Sequence, residues 1–553
     1  MTGATRVVAV AALLLGGAAC ANGDGDLPLP GPVPFADTLP IREPEERSYR
    51  ESTELLKASV KEEIAHSFSV ARRLSDAPEA LNVTALDGVV PSAWFEPRIT
   101  AREMGPEEVA QGPPGAAPAP RGPLVVVDAK VTGVSPGFTV RDRKGDHYLL
   151  KFDPPGFPGL ASAADVVSSR IFWAAGYHVP KDVVFTLDPG RMEIGEEATL
   201  ETERGPRPME PGDVIEVLRR IDPLPDGRFR ALASRFVDGV PKGPFRFEGT
   251  REDDPNDYYP HEDRRELRGL WVLASWVAHV DLRFANTLDV WVDPPGFLRH
   301  YLIDFGATLG SRSIRVANPR EGQEYAFDLW PVLGRIATLG FYRVGWEALS
   351  ADPIRPSLGW IATETFDPGS WKPFWPNDAY RRMTVRDAYW GAKLVAAFRE
   401  AHLRAAVREA RYPDPAAADT LLAILRYRRR TILEHWLGRV TPVENVWVED
   451  AGCRLRVGFE DLGLKEGLWA PAETRYRWRL RGAGAGVSEG ETAAAPGARQ
   501  VLSLPSPGRA GEGREPGSAV LEITALRPGT KERAARITIR STASGYRIAR
   551  LVH

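Results

Sequence analysis

The chain of 553 residues has little cysteine, no long apolar run and almost no net charge. Two cysteines, Cys20 and Cys453, allow at most one disulfide, which excludes a disulfide-stapled fold. No stretch approaches the about 18 consecutive apolar residues that a membrane-spanning helix requires. The formal net charge of −3 gives no electrostatic basis for binding nucleic acid or an anionic lipid surface. The nine histidines lack His-x-x-x-His or Cys/His spacing, which argues against structural zinc.

The remaining composition is that of a globular protein large enough for several domains. Hydrophobic residues make up 43% of the chain and charged residues 26%. At this length we expect two to four domains, each able to rest on its own core without disulfides.

The first 20 residues have the pattern of an export signal. Val7–Leu15 is apolar, follows one positive charge, and is too short to span a bilayer. The small residues of Gly16–Ala19 before Cys20 resemble a bacterial lipoprotein cleavage site, which implies that Cys20 is lipidated and becomes the mature N-terminus. Gly17 stands where that pattern prefers leucine, so ordinary signal cleavage nearby is the alternative. The predicted location is the cell envelope, on the periplasmic side or at the outer membrane, with membrane contact only through the lipid.

Composition and periodicity divide the rest of the chain into four parts. Residues 21–80 read as a tether rich in proline and glycine, followed by an amphipathic helix over Tyr49–Leu74. Residues 81–240 are rich in strands, and residues 241–440 are mainly helical. Residues 441–553 alternate polar and apolar in several short strands, which predicts a small β-sandwich-like domain. The predicted class is α+β.

A long loop is expected inside the last of these parts. Gly482–Gly517 is so rich in glycine, alanine, serine and proline that no regular element is predicted there.

The stretch from His279 to Gly306 contains most of the candidate catalytic and metal-binding residues. Two β-prone runs, Thr287–Val292 and Leu298–Ile303, flank the turn-forming Asp293-Pro294-Pro295-Gly296. This predicts a hairpin that returns Asp304 to the neighbourhood of Asn286.

This stretch resembles the catalytic core of the protein-kinase fold, H-x-D-x-x-x-x-N followed by D-F-G. The resemblance implies that Asp281 orients the acceptor hydroxyl and that Asn286 and Asp304 hold Mg²⁺ or Mn²⁺ on the phosphates of ATP. It also implies that Arg283 stabilises charge on the transferred phosphoryl group. Val280 stands where many regulated kinases carry an arginine that clasps a phosphorylated segment, so regulation by that route is not expected.

The same resemblance assigns nucleotide-binding roles upstream. Lys151, in a strand, corresponds to the lysine that steadies the α- and β-phosphates, and Asp165 on the next helix to its acidic partner. Kinases normally use glutamate there, so Asp165 could instead complement the helix dipole. Gly133, Ser135 and Gly137 correspond to the phosphate loop, with an ordinary hairpin turn as the alternative. For Lys151, the alternative to phosphate binding is that it is an ordinary lysine that faces solvent on an edge strand.

Four further stretches of sequence are similar to a family of uncharacterised bacterial envelope proteins, which is distantly related to toxin kinases of the HipA type and to secretory-pathway kinases. These stretches are Asn82–Asp87, Tyr148–Asp153, Arg264–Gly269 and His300–Gly310. The resemblance covers roughly residues 81–440 and implies a two-lobed kinase-like fold with a β-rich N-lobe over residues 81–240 and a helical C-lobe over residues 241–440.

The predicted function is therefore transfer of the γ-phosphoryl group of ATP to a hydroxyl on a protein or small molecule. The envelope outside the inner membrane is expected to lack an ATP pool. This favours an alternative of another class, a catalytically inactive scaffold of the same fold that binds a ligand or an envelope partner. Fold similarity alone does not decide between them.

Overall fold

The computed structural model describes residues 37–49, 77–115, 119–130, 136–202, 205–482, 485–506, 517–542 and 544–553, with Thr53, Val60, Glu63 and Ile64. Cys20, Gly133, Ser135 and most of the predicted amphipathic helix lie outside these residues. No helix within the described ranges is long and apolar enough to cross a membrane.

The fold is mixed α+β, with 27% helix and 29% strand. The described helices are α1 Pro106–Gln111, α2 Leu160–Ala175, α3 Pro211–Leu218, α4 Arg265–Trp276, α5 Leu329–Ala337, α6 Asp378–Arg381, α7 Val385–Ala397, α8 Glu400–Glu409, α9 Pro415–Leu437 and α10 Leu462–Lys465. The strands are β1 Leu124–Lys130, β2 Gly137–Arg141, β3 His147–Phe152, β4 Lys181–Leu187, β5 Met192–Thr202, β6 Gly205–Pro208, β7 Phe229–Arg235, β8 Val240–Pro241, β9 Thr287–Val292, β10 Phe297–Leu302, β11 Val443–Ala451, β12 Arg454–Asp461, β13 Arg475–Gly482, β14 Ala485–Ala493, β15 Arg499–Pro505, β16 Ser518–Leu526, β17 Ala535–Thr542 and β18 Gly545–Val552.

The first large sheet has seven strands in the order β4-β7-β3-β2-β1-β5-β6. Side chains alternate across it, so Tyr148, Leu150 and Phe152 of β3 enter a core on one face. Lys151 lies on the opposite face, and its backbone pairs with Gly137 of β2 and with Leu232 of β7.

A second core joins the helices to each other and to the first sheet. Helix α2, between β3 and β4, buries Phe172 in the same cluster as Leu270 of α4, Tyr389 of α7 and Leu425 of α9. Helix α2 therefore connects the strand-rich and helical parts of the chain, directly beside the strand that carries Lys151.

The C-terminal strands form two sheets, β11-β12-β15 and β14-β13-β16-β17-β18, around a separate core. The expectation that Gly482–Gly517 is only a loop is wrong, because β14 and β15 lie within it. Gly490 of β14 lies against the Trp478 ring of β13 and leaves no room for a side chain, because an added Cβ would come within 2.7 Å of that ring.

The last residue of the chain is bound to the segment that precedes the first sheet. His553 Nδ1 lies 2.8 Å from Asp87 Oδ2, and its Nε2 donates to Val443 O at 2.9 Å. Asp87 is also paired with Arg265 and with Arg386. Burial would raise the pKa of Asp87, but Arg265, His553 and Arg386 hold that pKa well below its usual range. Arg265, Arg386 and His553 thus form a buried network around the ionised carboxylate of Asp87.

His553→Ala is expected to lower the free energy of unfolding by about 2–4 kcal/mol, because it leaves buried groups at Asp87 and Val443 without a partner. Urea unfolding of the full chain measures this, with the partly exposed His147→Ala as the matched control. A loss no larger than that of the control would mean that the network does not hold the C-terminal sheets to the body.

Two buried histidines should make the protein sensitive to acid. Burial, reinforced by Arg98 and Arg299, lowers the pKa of His178 to about 3, and burial lowers the pKa of His279 to about 4. The unfolded chain, in which histidine has a pKa of about 6.5, then binds protons that the folded chain does not. The stability that these two neutral histidines contribute is fully present above the pKa of the unfolded chain and is lost as the pH falls towards 4.

Each of these two histidines is expected to lower the free energy of unfolding by about 2 kcal/mol between pH 7 and pH 5. Urea unfolding at both pH values measures it, and the change between the two pH values should differ by about 2 kcal/mol between His178→Gln and wild type. The same pH dependence in the two proteins would contradict the expectation.

Candidate functional site

The predicted hairpin forms and determines where Asp304 lies. Strands β9 and β10 pair antiparallel from Val292↔Phe297 to Thr287↔Leu302. Ile303 N then donates to Asn286 O at 3.0 Å, which ties the two ends of the hairpin together. The strand after the turn begins one residue earlier than expected, at Phe297.

Lys151 and helix α2 are held together by an aspartate at the end of β3. Asp153 Oδ1 accepts from Ala161 N at 2.9 Å and from Ser162 N at 2.8 Å, and its Oδ2 accepts from Gly159 N at 2.8 Å. A carboxylate on these unpaired N–H groups stabilises the start of a helix. This contact sets the position of Asp165, one turn further along α2, relative to Lys151.

Lys151 reaches Asp304 directly. The distance from Lys151 Nζ to Asp304 Oδ1 is 2.8 Å, and their side chains are 26% and 39% exposed. Burial alone would lower the pKa of Lys151, but the charges of Asp304 and Asp165 raise it to about 12. Burial would raise the pKa of Asp304, and Lys151 lowers it. The pair is ionised and remains open to a ligand.

The backbone at Asp304 is in the left-handed region, with φ 61°. For a residue with a Cβ, this conformation is uncommon and costs about 1–3 kcal/mol, and such residues cluster at functional sites. Gly306 follows closely, and a Cβ there would lie 3.0 Å from Ser313 Oγ.

A cluster of three aromatic rings packs against this turn. Phe305 lies 5.0 Å from Phe172 of α2 and 5.6 Å from His279, measured between ring centroids. Thr308 Oγ1 is 2.7 Å from Ser168 Oγ, also on α2. The same helix therefore positions both Asp165 and the segment that carries Asp304.

Asp281 lies in a partly enclosed, positively charged setting. Its Oδ1 accepts from Trp375 Nε1 at 2.9 Å and lies 3.4 Å from Arg283 Nε. Burial raises the pKa of Asp281, and Arg283 and Arg312 offset part of that rise. The side chain is 20% exposed, so a molecule in solution can reach it.

Asn286 is oriented by the backbone of the same loop. Its Nδ2 donates to Asp281 O at 2.7 Å and lies 3.4 Å from Asp281 Oδ2. With the amide nitrogen so engaged, the amide oxygen is the atom that can bind a cation.

Asn286 and Asp304 fit a metal ion that is held jointly with phosphates. Within the described ranges, no three His, Cys, Asp or Glu side chains gather as a metal site of their own. Mg²⁺ is usually bound by one or two protein ligands plus substrate phosphates and water, not by a complete protein cage. One carboxylate and one amide oxygen suit that arrangement.

The structure places the other predicted residues as follows. Gly137 opens β2 opposite Lys151, and a Cβ there would meet Leu150 O at 2.6 Å, so close strand contact explains this glycine. Asp165 makes no ion pair with Lys151 within 4.0 Å. Its carboxyl group is buried, and burial together with the nearby charge of Asp182 on β4 raises its pKa well above the usual range.

Sequence reasoning missed four residues of this site. They are Asp153, Asp182, Arg312 and Trp375. Asp153 sits just before a Gly/Pro turn and a helix, a recognisable capping position. The other three reach the site only through tertiary contacts, and no local signal in the sequence marks them.

Comparison of this chain with protein-family models, curated proteins and solved structures finds no match.

Proposed function

We propose that the chain is an atypical kinase-like phosphotransferase that moves the γ-phosphoryl group of ATP to a hydroxyl acceptor in the cell envelope. The observation that carries the proposal is the convergence of Lys151, Asp281, Asn286 and Asp304. They come from two distant parts of the chain, and Lys151 contacts Asp304 at 2.8 Å in an open site.

The layout of the chain supports a two-lobed kinase-like fold. Strands β1, β2, β3, β7 and β4 would form the small lobe, with α2 between β3 and β4, and helices α4 to α9 the large one. Protein kinases likewise carry the phosphate-binding lysine on the third strand and an acidic residue on the next helix. Here that position is Asp165, which does not pair with Lys151.

Each residue would have a separate role in phosphoryl transfer. Lys151 would bind the α- and β-phosphates, and Asn286 and Asp304 would hold the metal ion. When bound, Mg²⁺ would neutralise charge on the β- and γ-phosphates. Asp281 would orient the acceptor hydroxyl and take its proton as the new O–P bond forms and the bond to ADP breaks, while Arg283 stabilises the charge. The raised pKa of Asp281 suits a proton acceptor.

We further propose that Cys20 anchors the protein to the envelope by lipid and that the C-terminal sheets contact envelope partners. A nucleotide supply outside the inner membrane would then be required.

The test is incubation of the purified full chain with γ-labelled ATP, Mg²⁺ or Mn²⁺, and an envelope fraction. Transfer of label to a protein or small molecule supports the kinase. Nucleotide binding without transfer to the protein itself, to envelope proteins or to water would instead favour the non-catalytic scaffold.

A further inference from the structure

A segment near the start of the described chain lies along the sheet that carries the candidate site. Residues 37–49, here called the N-terminal strap, form neither helix nor strand. Ile41 N donates to Gly296 O at 2.9 Å, in the turn between β9 and β10, and Arg47 N donates to Lys242 O at 3.1 Å, directly after β8. The strap therefore runs along the hairpin whose two ends hold the proposed metal ligands.

Charged and backbone contacts keep the N-terminal strap in place. Glu43 Oε1 lies 2.6 Å from Lys242 Nζ, and Arg47 Nη2 lies 3.1 Å from Asp253 Oδ1. The backbone of the strap comes so close to Gly243 that a Cβ there would lie 1.9 Å from Arg47 O. The C-terminal end of the strap is therefore held at a defined position on the sheet.

The last residue of the strap, Tyr49, packs against Phe284. The centroids of the two rings are 5.8 Å apart, and the ring planes are at 88° to each other. On Tyr49 also lies the guanidinium group of Arg246, whose Cζ is 4.4 Å from the ring centroid. Edge-to-face aromatic pairs and cation–π contacts both stabilise such an arrangement. Tyr49 is thus held by Arg246 and in turn holds Phe284.

Phe284 belongs to the loop that joins Asp281 to Asn286. Phe284–Asn286 forms a single 3-10 turn, in which Asn286 N donates to Arg283 O at 2.9 Å. The Phe284 ring is half-buried and lies outside the buried core of the described residues. Its position therefore depends on the ring that packs against it, and a shift of Phe284 would displace Asp281 and Asn286 with it.

We propose that Tyr49 is a positioning residue for the loop from Asp281 to Asn286, through which the N-terminal strap keeps the acceptor-orienting carboxylate and the metal-binding amide in place. This inference rests on the proposed function. Geometry of this kind matters for rate, because a displacement of about 1 Å at a reacting group can slow a reaction about a hundredfold. The role falls to a residue outside the kinase-like motifs.

Substitution of Tyr49 should affect transfer more than nucleotide binding. Tyr49→Ala should lower the transfer rate about tenfold and change the affinity for Mg-ATP by no more than about threefold, because Lys151 and Asp304 bind the nucleotide from other segments. Tyr49→Phe keeps the ring and should retain at least about half of the transfer rate. Tyr546→Ala, which removes a half-buried tyrosine from β18 in the C-terminal sheets, is the matched control and should transfer like wild type.

A double variant tests whether Tyr49 acts through Phe284. Phe284→Leu should lower transfer as Tyr49→Ala does, and adding Tyr49→Ala to it should cause no further loss, because the contact is already gone. A radiolabelled transfer assay on the full chain measures these rates, and isothermal titration measures the affinities. Unchanged transfer in Tyr49→Ala, equal losses in Tyr49→Ala and Tyr49→Phe, or additive losses in the double variant would overturn the inference.

A second readout does not depend on nucleotide. The amide of Asn286 is hydrogen-bonded within the loop, so hydrogen exchange in a peptide spanning residues 281–287 reports how well the loop is ordered. Tyr49→Ala should speed this exchange about tenfold and leave exchange in β17 unchanged, whereas Tyr546→Ala should not affect the loop. If wild type transfers no phosphoryl group but the loop loosens in Tyr49→Ala, the proposed function fails and the strap still orders the loop. Unchanged exchange in Tyr49→Ala would refute the positioning role whatever the activity.

Discussion

Asp281→Asn is expected to reduce phosphoryl transfer by about a thousandfold and to leave Mg-ATP affinity nearly unchanged. The substitution keeps the size of the side chain and its contact with Trp375 Nε1. It removes the group that, in the proposed mechanism, orients the acceptor and takes its proton. The metal ligands are not altered, so the loss should appear in kcat and not in nucleotide binding.

A radiolabelled transfer assay beside isothermal titration separates the two effects. Asp293→Asn, at the tip of the β9–β10 hairpin, is the matched control, since it changes an aspartate of the same stretch away from the site. If Asp281→Asn transfers at the rate of this control, Asp281 is not the catalytic residue.

Asp304→Asn is expected to weaken binding of Mg-ATP itself, by about thirtyfold or about 2 kcal/mol, because the variant lacks the charged group proposed to bind the metal. It also breaks the ion pair with Lys151. The deficit should shrink for ATP measured in EDTA, because no metal then bridges the protein and the phosphates. A variant that binds Mg-ATP as tightly as wild type would show that Asp304 does not ligate the metal.

The parts of the site that consist of neighbouring residues in the sequence could be predicted from local sequence patterns. The hairpin, the lysine on β3 and helix α4 all follow from alternation, turn residues and helical periodicity over short windows.

The partners of the site residues could not be predicted in the same way. Asp182 lies 17 positions after Asp165, and Trp375 lies 94 positions after Asp281. These residues come near each other only because α2 packs on β4 and because Phe374 N donates to Val280 O. Nothing within either local window distinguishes Asp182 from an ordinary strand residue.

Some phrases that carried the family resemblance have structural roles. Asn82 accepts from Arg265 N at 2.8 Å, and Asp87 pairs with Arg265 and His553. These contacts fix the start of α4, the helix that leads into His279–Gly306. A resemblance in such phrases therefore says nothing about chemistry.

Titration of the wild-type full chain with Mg-ATP, Mn-ATP and ATP in EDTA tests the proposed nucleotide site most directly. We expect saturable binding of one nucleotide with either metal, binding that EDTA weakens strongly, and the thirtyfold loss in Asp304→Asn. Absence of nucleotide binding with any divalent metal would contradict it, and would mean that Lys151, Asn286 and Asp304 share the geometry of such a site without its chemistry.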